Sequence, residues 1–161
     1  MLMHTATRIE EVRHEVGALA SAVPAAKVFM QAICKLLHER MLKYNWVGFY
    51  MLEPGTQPPV LVLETFVGAM TPHTRIPLNQ GICGAAASSG KTVVVDDVSK
   101  DSRYLACSLE TKSEIVVPVF VKGEVAGELD IDSHFPAAFA AEDQRLVQYC
   151  AELVGEKLEK S

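Results

Sequence analysis

The sequence has no uninterrupted apolar run of the about eighteen residues that a bilayer-spanning helix needs, because Arg8, Lys27, Lys35, Lys43 and Glu53 break every long stretch. A soluble protein is expected. It lacks a basic excess as well: 15 Lys+Arg stand against 20 Asp+Glu, for a formal charge of -5. No positive field is therefore available to neutralise a phosphate backbone, and nucleic acid is not an expected partner. The first seven residues carry neither a basic segment nor an apolar one, and Glu10 and Glu11 follow soon after. A cleaved signal peptide is not expected, and the cytoplasm is the expected compartment. The four cysteines, at 34, 83, 107 and 150, show no CxxC or CxxH spacing. That pattern suggests neither a zinc site nor a secreted disulfide framework, so no metal is expected. There is no internal repeat and no linker.

What is present fits one globular core: 161 residues, 49% hydrophobic and 22% charged, far from the composition of disordered chains. Ile9, Val12, Val16 and Leu19 recur at helical spacing and predict a short amphipathic helix over 8–19. A second helix, with Pro24 in its first turn, is expected to end near Met41. The period then changes to two. Strands are expected over 45–52 and 60–66, joined across Pro54, Gly55, Pro58 and Pro59 as a hairpin. A small-residue helix follows over 81–88, then a strand over 92–95 and a polar loop over 96–112. Two further strands, 114–121 and 124–132, flank Lys122-Gly123, a connection of hairpin length. An amphipathic helix over 141–158 closes the chain. The expected class is α+β, an antiparallel sheet of about five to six strands with helices packed on one face. The expected organisation is one domain over 1–161, with N-terminal helices over about 8–41, a core over about 42–135 and the last helix.

Several residues can carry chemistry. Alternation puts Glu128, Asp130 and Asp132 on one face of a strand. Such a row is either a solvated sheet face or a cluster that holds an ammonium group or supplies a general acid. Trp46, Gly48 and Tyr50 share a face of the first strand, either as sheet packing or as an aromatic wall with a gap at the glycine. Cys34 and Cys150 fall on apolar helix stripes and read as buried hydrophobes. Cys83, between Gly81 and Gly84 at a helix start, is either a small packing residue or a thiol that the helix dipole turns into a thiolate. Cys107 lies in the polar loop between Arg103 and Lys112, where an accessible thiol invites a redox reading. His73 stands alone in Thr71-Pro-His-Thr74.

Taken in order, Asn45-Trp-Val-Gly-Phe-Tyr50, Arg75-Ile-Pro77, Gly81-Ile-Cys-Gly84, Ala106-Cys107, Ser113-Glu-Ile-Val-Val-Pro118 and Leu129-Asp-Ile-Asp-Ser133 resemble the free methionine-R-sulfoxide reductases, which are single GAF domains. The resemblance covers about residues 25 to 158. It implies a GAF-like sheet and a site for free methionine sulfoxide. Cys107 matches the catalytic cysteine of the family and Cys83 a second cysteine that could resolve it. Glu114, Asp130 and Asp132 match the acidic pocket residues, and Trp46 and Tyr50 the aromatic wall. The resemblance further implies methionine as product, a sulfenic acid and then a disulfide on the enzyme, and recycling by an external thioredoxin-type reductant with no cofactor. His73 stands where the family has a further cysteine, and Tyr104 and Ser108 replace its usual His and Asp neighbours of Cys107. The alternative is a non-catalytic GAF module that senses a small molecule, with a homodimer through the terminal helices as a further expectation.

Overall fold

The computed structural model describes residues 2–105 and 109–161, with side chains from residue 7 onward. Cys107 and Ser108, singled out above, lie outside the described residues. Helices α1 (Leu2–Ala22) and α2 (Ala26–Arg40) lead into strands β1 (Trp46–Leu52), β2 (Val60–Val67) and β3 (Arg75–Pro77). Then come α3 (Gly81–Ser89), β4 (Val93–Val95), β5 (Ser113–Val121), β6 (Glu124–Ser133) and α4 (Ala141–Lys160). Among the described residues the strands form one six-stranded sheet in the order β3-β2-β1-β6-β5-β4, with every pairing antiparallel. None of these helices is long and apolar enough to cross a membrane.

Two local readings change. α1 begins well before Ile9, since nothing in residues 2–8 breaks a helix even though the amphipathic pattern starts later. Pro24 sits outside α2 rather than in its first turn, because Ala25, in an extended conformation, is the N-cap. The short β3 shows no periodicity of its own; it is a strand because Val60, Leu61 and Val62 of β2 pair with it. The β5–β6 turn is tight because Lys122 and Gly123 both take positive φ, 52° and 80°.

Strand alternation separates two apolar layers. Val47 and Phe49 of β1, Ile115, Val117 and Val119 of β5, and Leu129 and Ile131 of β6 face one side. There they pack on Val12 and Val16 of α1, Phe29, Ile33 and Leu37 of α2, and Leu146, Val147 and Val154 of α4. Cys34 and Cys150 are fully buried in this layer, where burial pushes each thiol up to about 12. On the other side, Trp46, Tyr50, Leu61, Ile76 and Val116 pack with Ile82, Cys83 and Ala86 of α3. Three helices thus cover one face, and the short α3 covers part of the opposite one. Its backbone lies so near Leu78 that a Cβ at Gly84 would stand 2.7 Å from the Leu78 carbonyl oxygen, which is why position 84 carries no side chain.

Candidate functional site

The site is built on the α3 face of the three central strands. The register places Asp132 in a row with Trp46 and Glu114, Asp130 with Gly48 and Val116, and Glu128 with Tyr50 and Pro118. Period-two alternation points these side chains the same way, towards α3. They are not a solvated face: Glu114, Glu128, Asp130 and Asp132 are exposed by only 5%, 0%, 3% and 3%.

Cys83 comes to this row from the first turn of α3, and its thiol donates to Asp130 Oδ2 at 3.3 Å. The expectation of a thiolate at this helix start is not met. Burial in the first place, then the neighbouring Asp130, Glu128 and Glu114, push the thiol well above its ordinary range. The helix dipole is outweighed because it acts on a group removed from water and surrounded by acids. The carboxyls are raised too. Burial is the main cause for Glu114, Glu128, Asp130 and Asp132, and Asp130 adds like-charge repulsion for the other three. None of the ion pairs among the described residues involves any of the four. Glu128 Oε1 and Oε2, Asp130 Oδ1 and Asp132 Oδ1 are buried without a hydrogen-bond partner.

Tyr50, His73, Cys83, Glu114 and Asp130 line one small cleft, a cavity of about 20 Å³, together with Ile76, Gly81, Ile82 and Leu105. Tyr50 Oη donates to the His73 carbonyl oxygen at 2.7 Å, which ties the 73 loop to the tyrosine hydroxyl. Trp46 and Asp132 line a neighbouring cleft with Asn45, Thr71 and His134. The predicted site residues are therefore split between two adjoining openings, with the Asp132–Glu114 pairing between them. Tyr104 lines neither; it packs at the edge of the α3-side layer, and its neighbour Leu105 reaches the cleft instead.

The gap expected at Gly48 is filled. The Trp46 indole lies over the glycine, so a Cβ there would overlap the ring. The indole stacks on Phe66 at 5.6 Å and 18°, and its Nε1 donates to the Ala69 carbonyl at 3.1 Å. Phe66 was not singled out in the sequence, although the β1–β2 hairpin sets it opposite Gly48. Ile76 and Ile82 sit inside two of the family-like motifs without being marked as cleft residues, and Leu105 carries no signal in sequence, since only the loop paths bring the three together. Among the described residues the arrangement is a buried thiol and a row of buried acids beside a tyrosine. It can donate protons to a bound oxygen, accept an ammonium group and exclude water.

The GAF domain family model matches residues 26–158. The free methionine-R-sulfoxide reductase of Escherichia coli (strain K12) is 40% identical over 119 residues, covering 73% of this chain and 69% of that protein. Among solved structures, the type II free methionine-R-sulfoxide reductase of Thermoplasma acidophilum aligns at 43% identity with a TM-score of 0.78, over 88% of this chain and 96% of that one. The free methionine-R-sulfoxide reductase of Neisseria meningitidis, solved in complex with its substrate, aligns at 33% identity with a TM-score of 0.89, over 96% and 90%. With this sheet, this buried acid row and these relatives, the chain belongs to the GAF domain family and is similar to its free methionine-R-sulfoxide reductases.

Proposed function

We propose that this protein reduces free methionine-R-sulfoxide to methionine, acting as one GAF domain with Cys107 as nucleophile and Cys83 as resolving thiol. The observation that carries the reading is the meeting of Cys83, Glu114 and Asp130 with Tyr50 in a single cleft. Acids whose pKa burial raises can donate to the sulfoxide oxygen, and a row of carboxyls suits the substrate ammonium. The Cys107 thiolate attacks the sulfur, the oxygen passes to Cys107 as a sulfenic acid, and methionine leaves. Cys83 then attacks the sulfenic sulfur, its proton passes by way of Asp130 to the departing hydroxyl, and water leaves as the disulfide forms. A thioredoxin-type dithiol supplies the two electrons that reopen it, so the cycle needs no prosthetic group. In this reading Cys83 does the work of the cysteine that His73 replaces.

The test is methionine release from free L-methionine-R-sulfoxide, first with dithiothreitol and then with thioredoxin, against the S epimer and the C107S protein. Turnover confined to the R epimer and abolished in C107S is the expected result. No release with either reductant would overturn the reading and leave a GAF module that binds a small molecule.

A further inference from the structure

One thiol and two carboxyls meet in the cleft. Cys83 Sγ, a Glu114 carboxylate oxygen and an Asp130 carboxylate oxygen all lie within 4.8 Å of one another, and all three residues are buried. They come from α3, β5 and β6, so no spacing along the chain announces them. Independently, Asp130 Oδ1 is buried with no hydrogen-bond partner, and beside it Asp132 Oδ1 and both Glu128 oxygens are in the same condition. Buried acceptors in this number ask for a donor or a cation.

We propose that Cys83, Glu114 and Asp130 form a binding site for a thiophilic divalent cation, Zn²⁺ being the ion the donor set suits best. One sulfur and two carboxylate oxygens with a fourth position open to the cleft match zinc, whereas Mg²⁺ and Ca²⁺ take oxygen ligands alone. A sulfur and a carboxylate oxygen bound to a shared tetrahedral zinc stand about 3.5–3.7 Å apart, so a separation a few tenths of an ångström shorter needs only a small outward shift. Cys83 Sγ and Asp130 Oδ2 are already 3.3 Å apart, and rotation about the Glu114 side-chain bonds supplies the third donor. Binding makes one Zn–S and two Zn–O bonds, releases the thiol proton and any proton the acids hold to solvent, and transfers no electrons. Because the cation occupies the same cleft, it competes with methionine sulfoxide. That last statement rests on the reductase reading, while cation binding itself does not.

The experiment titrates the whole reduced chain with Co²⁺, a spectroscopic stand-in, and then displaces it with Zn²⁺. One equivalent is expected to produce a near-ultraviolet thiolate-to-cobalt band that Zn²⁺ discharges. The band is expected to persist in C107S, to vanish in C83S, and to need about tenfold or more Co²⁺ in D130N, since even outer partners of a metal ligand cost that much. No thiolate band in the unaltered chain, a band that survives in C83S or is lost in C107S, or undiminished affinity in D130N overturns the site. D130N reads the site through a second ligand should C83S fail to fold. In single-turnover methionine release, which precedes any step at Cys83, Zn²⁺ is expected to raise the methionine sulfoxide concentration that gives half the limiting rate and to leave that limiting rate unchanged. Turnover without cobalt binding removes the metal site and leaves the reductase; cobalt binding without turnover does the reverse.

Discussion

The Cys83 thiol donates to Asp130 Oδ2 across 3.3 Å, tying the first turn of α3 to the middle of β6 over 47 residues of chain. The contact sets the resting state of both groups. The thiol stays protonated against a row of acids, and its proton has an acceptor in place for the moment it is needed.

Replacing Cys83 by serine is expected to spare the first turnover and slow recycling. Methionine released in a single-turnover burst should match the unaltered protein, while the thioredoxin-coupled steady rate falls. An undiminished coupled rate would remove Cys83 as the resolving thiol.

Asp130→Asn keeps the shape of the side chain and removes its charge. Hydrogen bonds to charged groups contribute about 1.5–3 kcal/mol, so affinity for methionine sulfoxide should fall about ten- to a hundredfold. The melting temperature should hold or rise, because a buried acid without an ion-pair partner is relieved. Unchanged affinity by calorimetry would place Asp130 outside the binding site.

Glu128 gives a pH signature. It is fully buried, neither oxygen has a hydrogen-bond partner, and burial raises its pKa well above 4.5. A carboxyl raised in the folded state leaves full stability below the unfolded pKa and costs stability as pH climbs towards the folded one. Against Glu128→Gln, the unaltered protein should therefore lose ground from about pH 4.5 upward, by up to about 1.4 kcal/mol per pH unit. Urea unfolding of both proteins from pH 4 to 8 checks it, and parallel stability curves would sink the idea that Glu128 is held protonated.

Away from the site, Tyr44 Oη donates to Asp143 Oδ1 at 2.6 Å, and Asp143 Oδ2 accepts from the Ala140 amide at 3.1 Å, so one buried carboxyl fastens the start of α4 beside the sheet. Tyr44→Phe leaves Asp143 Oδ1 without that donor, at a cost of about 1–3 kcal/mol. Thermal unfolding should show a lower melting temperature with sulfoxide turnover intact at room temperature. An unchanged melting temperature would show that this hydrogen bond adds nothing net.

The sequence by itself determined which side chains share a face. Period two in β1, β5 and β6 sends Phe49, Ile131 and their neighbours to the helical layer and Trp46, Glu114, Asp130 and Asp132 to the other, because the pleat alternates whatever packs upon it. Hairpin chemistry at Lys122-Gly123 sets Val121 opposite Glu124, whereas Glu114 comes beside Asp132 only through a one-residue register shift between Val119 and Phe120. What lies on a face is another matter, since alternation is the same for a wet surface and a buried one. Only the tertiary structure decided that α3 and the loops after β2 cover the acids, that Cys83 meets Asp130, and that the Trp46 indole fills the space over Gly48. Those outcomes depend on contacts between segments far apart in the chain, and burial then reverses the chemistry read locally. A thiol that its helix start would ionise is instead held protonated by the acids packed against it.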